Sequence, residues 1–368
     1  MEGLNLGREY PRGNPESTVW HVGHTQPATV AGRSRAVAEA GVSHFMQITR
    51  MENLFHCWLK ARQNKSRRAR IQRFAEDPLR YLSIIQERLR NRQYEFGPYR
   101  YFVVKEKKWR DVVDAPMKDR IVHWMLYDYL YLIWEKRLIH DTYGNLLGRG
   151  THAAVRRLAE FARRPDARWV LQLDISKYFY SIPHDLLKKR VTRYIGDQDI
   201  RQLLYGLVDS FRTDGRYDHL FSEDSAYRMT PNKGMPIGNL SSQLFANVFL
   251  CSFDHWVKEE LCVDHYVRYV DDVVVVVESK EEIQRVLGRM VERLGEDGLT
   301  VHPKKIRIAP ITEGIPYLGY VIWPTHVSAG RHMRSRYCRR LRQFDHGLDR
   351  ADSIQSYEAM LKHTGPSR

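Results

Sequence analysis

The stretch His265-Tyr266-Val267-Arg268-Tyr269-Val270-Asp271-Asp272-Val273-Val274-Val275-Val276-Val277 decides the fold. Two runs rich in β-branched and aromatic residues, His265–Tyr269 and Val273–Val277, flank a pair of aspartates, which predicts a hairpin with carboxylates at its turn. Downstream, Lys280–Leu294 has helical apolar spacing, and Leu299–Val301, Ile306–Ala309 and Tyr317–Val321 read as strands. Upstream, Trp169–Ile175 is a short apolar strand carrying Asp174. Helices over Pro183–Ile195 and Leu240–Glu260 follow it, the second reached through Gly234–Asn239. The succession β-α-β-β-α-β is the signature of a ferredoxin-like split βαβ sheet, and so of an α+β fold.

In such a sheet the first strand lies beside the central hairpin, so Asp174 joins Asp271 and Asp272 on one edge although they are far apart in sequence. Three adjacent carboxylates repel one another, and a hard divalent cation relieves the repulsion. Mg²⁺ takes oxygen ligands, retains waters and binds through one or two carboxylates plus substrate phosphates. Two such ions suit an in-line displacement at phosphorus. An Asp-Asp pair alone is usually just a turn. Set between apolar strands and matched to a third strand-end Asp, it points to phosphoryl transfer.

The charge balance points to the partner. Lys and Arg number 59 against 44 Asp and Glu in 368 residues, a formal net charge of +15. Residues 1–45 carry four Arg and four acids, are rich in Gly, Pro, Ser and Thr, and read as a flexible extension outside the core. Two runs without an acid hold much of the excess: Lys60–Arg73, with Lys60, Arg62, Lys65, Arg67, Arg68, Arg70 and Arg73, and Arg331–Arg342, with six Arg including Arg334 and Arg339. A charge run is also what a solvated helix face looks like. Two of them flanking the aspartates favour a polyanion such as nucleic acid.

Several classes are excluded. Cys57, Cys251, Cys262 and Cys338 have no CxxC spacing, against a zinc module or a disulfide framework. There is no apolar run of membrane length, and no basic segment followed by an apolar one at the N-terminus, so a cytoplasmic protein without a membrane partner is expected. No HExxH or GxSxG motif occurs, against metalloprotease and serine-hydrolase chemistry.

The N-terminal part reads as helical over residues 46–95. A hairpin follows, with strands Tyr101–Val104 and Asp111–Asp114 and a basic tip at Lys105–Arg110. Ile121–Ile139 is an aromatic-rich helix, Asp141–Gly150 a glycine-containing loop, and Thr151 a cap for a helix over His152–Arg163.

These residues carry a family resemblance. Tyr269-Val270-Asp271-Asp272 resembles the YxDD box of reverse transcriptases, and Asp174-Ile175-Ser176-Lys177-Tyr178-Phe179 resembles their first catalytic motif, with the order of motifs agreeing over residues 50–330. The resemblance implies a right-hand polymerase with fingers at 46–165, palm at 166–325 and a short Arg-rich helical thumb at 326–368. It implies two Mg²⁺, with Mn²⁺ as substitute, at positions matching Asp174, Ile175, Asp271 and Asp272, the three aspartates being catalytic. Phe179 matches a steric gate against the 2′-hydroxyl, the plain alternative being a core Phe. Lys107-Lys108-Trp109-Arg110 resembles the segment that clamps the incoming triphosphate, with Arg110 the first choice for that contact and Lys105 the second. Lys305 matches a lysine near the leaving pyrophosphate, a solvated lysine being the alternative. Lys118-Asp119-Arg120 and Gly148-Arg149-Gly150-Thr151-His152 resemble stretches that position a helix and touch the template. Tyr317-Leu318-Gly319-Tyr320 resembles a primer-grip hairpin. Nucleic-acid contacts are thus expected at Lys60, Arg67, Arg68, Arg149, Tyr317, Gly319, Arg334 and Arg339.

Ile237-Gly238-Asn239-Leu240-Ser241-Ser242-Gln243 narrows the resemblance. Reverse transcriptases generally carry Gln-Gly-x-x-x-Ser here, whereas this chain has Ile237 in place of Gln and Gln243 after Ser242, similar to the enzymes of diversity-generating retroelements. Gln offers an amide donor and acceptor to the nascent pair; Ile offers only shape, which weakens polar discrimination. Ile237, Gly238, Ser242 and Gln243 are accordingly expected in the dNTP pocket. The resemblance implies error-prone copying of RNA into cDNA, with an RNA template and primer, an RNA–DNA duplex and dNTPs as ligands, and a small basic accessory protein and a structured RNA as partners. Two alternatives share the segment or the fold: a defence-associated antiviral reverse transcriptase, and a non-catalytic maturase-like RNA binder, against which the intact aspartate set argues.

Overall fold

The computed structural model describes residues 42–63, 69–105, 109–211, 232–236, 238–345 and 351–366. Arg67, Arg68, Lys107, Lys108, Ile237 and nearly all of the 1–45 extension lie outside the described residues, and of Lys105 and Arg110 only the backbone is described.

The N-terminal helices are α1 (His44–Ile48), α2 (Met51–Arg62), α3 (Ala69–Glu76) and α4 (Pro78–Arg90). Asp77 starts α4 by accepting from the Arg80 amide, with Pro78 in the first turn, where no amide donor is needed. The antiparallel hairpin β1 (Arg100–Lys105) and β2 (Trp109–Asp114) is longer at both strands than its apolar runs suggested. It leads into α5 (Met117–Trp134), which starts earlier than the aromatic stripe because Pro116 fixes the N-cap, so Lys118-Asp119-Arg120 sits in its first turn. Against α5, α2 buries Leu54, Cys57, Trp58 and Ala61.

The loop after α5 holds a strand that the sequence reading missed, β3 (Thr142–Tyr143), before α6 (Thr151–Ala162). Gly150, not Thr151, occupies the N-cap of α6. The central elements are β4 (Trp169–Asp174), α7 (Tyr178–Ser181), α8 (His184–Val191), α9 (Gln198–Asp209), α10 (Leu240–Phe249), α11 (Cys251–Glu259), β5 (Tyr266–Tyr269), β6 (Asp272–Val277), α12 (Lys280–Glu296) and β7 (Arg307–Pro310). The single helix expected over Leu240–Glu260 is two, since Leu250 leaves helical geometry at φ −89°, ψ 2°. The expected strand at Leu299–Val301 is reduced to one bridge, Ile175 with Val301.

The sheet runs β3-β5-β6-β4-β7, antiparallel throughout except for the parallel pair β3–β5. The part β5-β6-β4-β7 has the split βαβ order, so the α+β expectation holds, with β3 as an addition. Alternation divides the strands between two cores. Leu171, Leu173, Val273 and Val275 face α12, which contributes Ile283, Val286, Met290 and Leu294. Val170, Val267, Val274 and Val276 face α6 and a second sheet. Full burial of each such side chain is worth about 1.5–3 kcal/mol.

That second sheet is β8 (Ile315–Tyr317), β9 (Tyr320–Ile322), β10 (His326–Ala329) and β11 (Gly365–Pro366), in the order β11-β10-β9-β8. Tyr317–Val321 is therefore not one strand: Leu318 (φ 48°) and Gly319 (φ 90°) form the tight two-residue turn between β8 and β9. The C-terminal segment holds α13 (Arg331–Asp345) and α14 (Ala351–Leu361), and the strands β10 and β11 mean that it is not purely helical. No helix among the described residues is long and apolar enough to cross a membrane.

Candidate active site

Asp174 is the last residue of β4 and Asp272 the first of β6, and the two are Cα partners across the ladder. Asp271 lies between them and β5, in the two-residue turn Val270-Asp271 closed by the pair Tyr269–Asp272. The Ile175 amide donates to the Asp271 carbonyl at 3.3 Å, tying the end of β4 to the turn. Register alone thus gathers the three carboxylates on one edge. Burial and the adjacent Asp174 push the Asp271 carboxyl up to about 6. Burial, the Asp271 and Asp174 charges and a hydrogen bond with the Asp174 side chain push Asp272 up to about 7. Lys305 Nζ stands 2.6 Å from Asp174 Oδ1 and opposes both shifts.

One lysine against three carboxylates leaves an excess of negative charge on hard oxygen donors, and that is the donor chemistry Mg²⁺ takes, completing its shell with waters and substrate oxygens. Among the described residues no three His, Cys, Asp or Glu side chains stand together as a group that could hold a metal ion by themselves. An ion there would be shared with substrate oxygens, with Asp174, Asp271 and Asp272 as its protein holders.

The turn is held from below. Val270 has φ 59°, a left-handed conformation that a β-branched residue rarely adopts. Its carbonyl accepts from Arg268 Nη1 at 2.8 Å and its amide donates to the Tyr143 carbonyl at 3.3 Å. Arg268 is fully buried and forks onto Asp254 of α11, with Nε to Oδ1 at 2.7 Å and Nη2 to Oδ2 at 2.5 Å. Thr142 and Tyr266 hydroxyls donate to the same carboxylate at 2.7 and 2.6 Å, and Nη1 also donates to Asn247 Oδ1 at 3.1 Å. Asn247 Nδ2 in turn donates to the Gly144 carbonyl at 2.8 Å. The sequence signal for this cluster was an Arg in a strand of otherwise apolar and aromatic residues, since buried charges are paired.

Comparison with known proteins fits this geometry. The profile of the family described as reverse transcriptase (RNA-dependent DNA polymerase) matches residues 103–322. The chain belongs to the reverse transcriptase family. Protein YkfC of Escherichia coli is 25% identical over 284 residues, 65% of this chain and 70% of its own length. The putative COX1/OXI3 intron 1 protein of Saccharomyces cerevisiae is 22% identical over 297 residues, and the uncharacterized 91 kDa protein in cob intron of Schizosaccharomyces pombe 23% over 297. Those matches take in 66% and 64% of this chain but only 34% and 35% of the yeast proteins. A solved structure of apo telomerase from Candida tropicalis aligns with a TM-score of 0.46 at 10% identity, over 64% of this chain and 48% of that one.

Other expected residues of this reverse transcriptase fall at varied distances from such a role. Phe179 is half-buried on α7, edge-on to Tyr178, and its carbonyl accepts from the Met235 amide at 2.6 Å. Gly238 (φ 106°) is exposed, Ser242 is buried on α10 and Gln243 half-buried beside it. Arg110 pairs with Val104 and Lys105 with Trp109 at the outer end of the β1–β2 ladder. Lys60 is held by Asp128 at 2.6 Å, with Trp124 beneath it. Arg149 donates to the Ile139 carbonyl at 2.7 Å, bracing its own loop. Arg334 and Arg339 are exposed on α13. Tyr317 departs from its expectation as a surface contact: it is only 4% exposed, its hydroxyl has no partner among the described residues, and it lies near Asp272. Gly319 takes part through its carbonyl, which accepts from Gly330 at 2.8 Å.

Proposed function

We propose that this reverse transcriptase is an active RNA-directed DNA polymerase that copies an RNA template into cDNA. The observation that carries the reading is the ladder pair Asp174–Asp272 with Asp271 in the adjoining turn, which puts three carboxylates on one open edge. When bound there, a pair of Mg²⁺ supplies activation of the primer 3′-hydroxyl and neutralisation of the leaving pyrophosphate. The chain's own share is positional. Asp174, Asp271 and Asp272 would hold the ions; Lys305, exposed beside Asp174, is suited to the departing phosphates; Phe179 would exclude the 2′-hydroxyl; Arg110, with Lys105, would meet the triphosphate. Residues 46–165, 166–325 and 326–368 would act as fingers, palm and short thumb around template and primer, with Arg334 and Arg339 along the duplex backbone and the protein working in the cytoplasm.

For the finer role we favour error-prone synthesis in a diversity-generating retroelement, supported by Ile237 and Gln243 in the segment where the family generally has Gln first. An accessory basic protein and a structured RNA belong to that role. Intron proteins among the relatives keep a second reading open, an RNA-binding protein that has left catalysis; the undamaged carboxylate set speaks against it.

Primer extension on an RNA template with dNTPs and Mg²⁺, with Asp271→Ala alongside, is the test. Incorporation by the native chain and none by the variant is expected. Equal failure of both, with RNA and accessory protein supplied, would sink the polymerase reading, and error-free copying of the RNA template would sink the retroelement one.

A further inference from the structure

We infer that Arg268 is a positioning residue for the catalytic turn, and that the buried assembly Asp254–Arg268–Asn247 sets where the Asp271 carboxylate stands and so how tightly the edge holds a divalent cation. The inference rests on the metal-binding reading of Asp174, Asp271 and Asp272.

Three observations carry it. The first is strain: Val270 sits at φ 59° with a branched Cβ, a conformation that persists only where surroundings enforce it. The second is the enforcement. Both polar atoms of the Val270 backbone are fixed, the carbonyl by Arg268 Nη1 at 2.8 Å and the amide by the Tyr143 carbonyl at 3.3 Å. The Val270 carbonyl and the Asp271 amide share one planar peptide, so a guanidinium that fixes the first orients the second, and with it the Cα from which the Asp271 carboxylate projects. The third is that the guanidinium itself has almost no freedom. Its fork onto Asp254, the Asn247 bond and the hydroxyls of Thr142 and Tyr266 on the same carboxylate hold it in a site with no exposure. A lysine could satisfy Asp254 or Val270, but its single ammonium on a flexible stem cannot hold both in one fixed fork.

A purely structural salt bridge would cost stability and leave metal affinity alone, so affinity is the readout. Mn²⁺ binding to the full-length protein, followed by electron paramagnetic resonance without nucleic acid, is compared for the native chain, Arg268→Lys, Arg190→Lys and Asp271→Ala, each shown folded by its melting curve. Arg268→Lys is expected to raise the Mn²⁺ Kd about tenfold, the usual reach of groups that orient metal ligands, whereas Arg190→Lys, a half-buried arginine of α8 paired with Asp297 and not with the turn, leaves it within about twofold. Unchanged Mn²⁺ affinity in folded Arg268→Lys overturns the inference. Should that variant not fold, Asn247→Ala, which spares the Arg268–Asp254 fork, carries the test, with a rise of about threefold expected and none overturning it. Asp271→Ala separates the two claims: native-like Mn²⁺ binding in that variant means the ion is elsewhere and the metal reading fails, while its loss there together with native affinity in Arg268→Lys defeats the positioning claim alone.

Discussion

A methyl group at position 144 tests how tightly the catalytic turn is packed. Gly144 has φ 87°, and a Cβ there would stand 2.8 Å from Val270 Cγ2 and 3.3 Å from the Tyr269 ring. Gly144→Ala must therefore either strain its own backbone or push on the residue before Asp271. We expect a loss of about 1–3 kcal/mol in denaturant unfolding, together with impaired extension. Phe179→Ala gives the complementary residue-scale result: ribonucleotide incorporation should rise relative to deoxyribonucleotide in competition assays, by about two orders of magnitude if the ring is the steric gate. The three aspartates were legible from the sequence because a period of two with a turn places them on one edge without further information. Arg268 was not. Its partners Asp254 and Asn247 lie on helices whose packing beneath the hairpin follows from the bend at Leu250, and no local pattern announces that bend. Tyr317 was misjudged for a related reason, since strand alternation gives two faces but not which of them another sheet covers.

At the scale of elements, the β1–β2 hairpin is anchored at its base. Asp114, the last residue of β2, accepts from Arg70 of α3 and Arg120 of α5 at once, which lowers its carboxyl pKa despite partial burial. Asp114→Ala removes the acceptor that Arg70 and Arg120 share, while Arg120 keeps the Ala115 carbonyl. The expected result is faster amide exchange throughout the hairpin and a raised KM for dNTP, with a stability cost of about 1–3 kcal/mol. α5 carries a liability in His123, whose buried ring Nε2 has no partner among the described residues and whose pKa burial, with Arg120 nearby, lowers to about 3. The unfolded chain takes up that proton below about pH 6.5 and the folded one does not, so this contribution to stability is intact above 6.5 and is lost as pH falls. The slope is about 1.4 kcal/mol per pH unit until the ring itself titrates near 3. His123→Phe should flatten that acid limb in thermal melts. Helices were easier to read than their limits. Apolar spacing found α2, α4, α5 and α12, whereas the start of α5 at Pro116 and the short β3 depended on a proline and on pairing partners remote in sequence.

Across the whole molecule, positive charge and carboxylates are segregated by architecture. The excess of +15 belongs to the chain as a whole, yet the sheet edge is acidic and α13 presents Arg331, Arg334, Arg336, Arg339 and Arg342 to solvent. If α13 tracks a duplex, Arg334→Ala with Arg339→Ala should reduce the slope of log affinity against log salt by about 2, and Lys60→Ala, already paired with Asp128, by less. Equilibrium binding of an RNA–DNA duplex across a salt series reads both. The split βαβ sheet was foreseeable because strand and helix periods alternate in the order that topology requires. The second sheet was not, since its strands are two to four residues long and one of them, β11, closes on β10 from the far side of two helices.

The short parallel strand β3 joins two parts that the sequence keeps about 125 residues apart. Thr142 and Tyr143 are laddered to Arg268 and Tyr269, so the glycine-containing loop and the aspartate turn rest on one continuous β-layer. Mechanically they form a single shelf. A displacement of the loop is then passed in-plane, through the ladder hydrogen bonds, to the turn that carries the carboxylates.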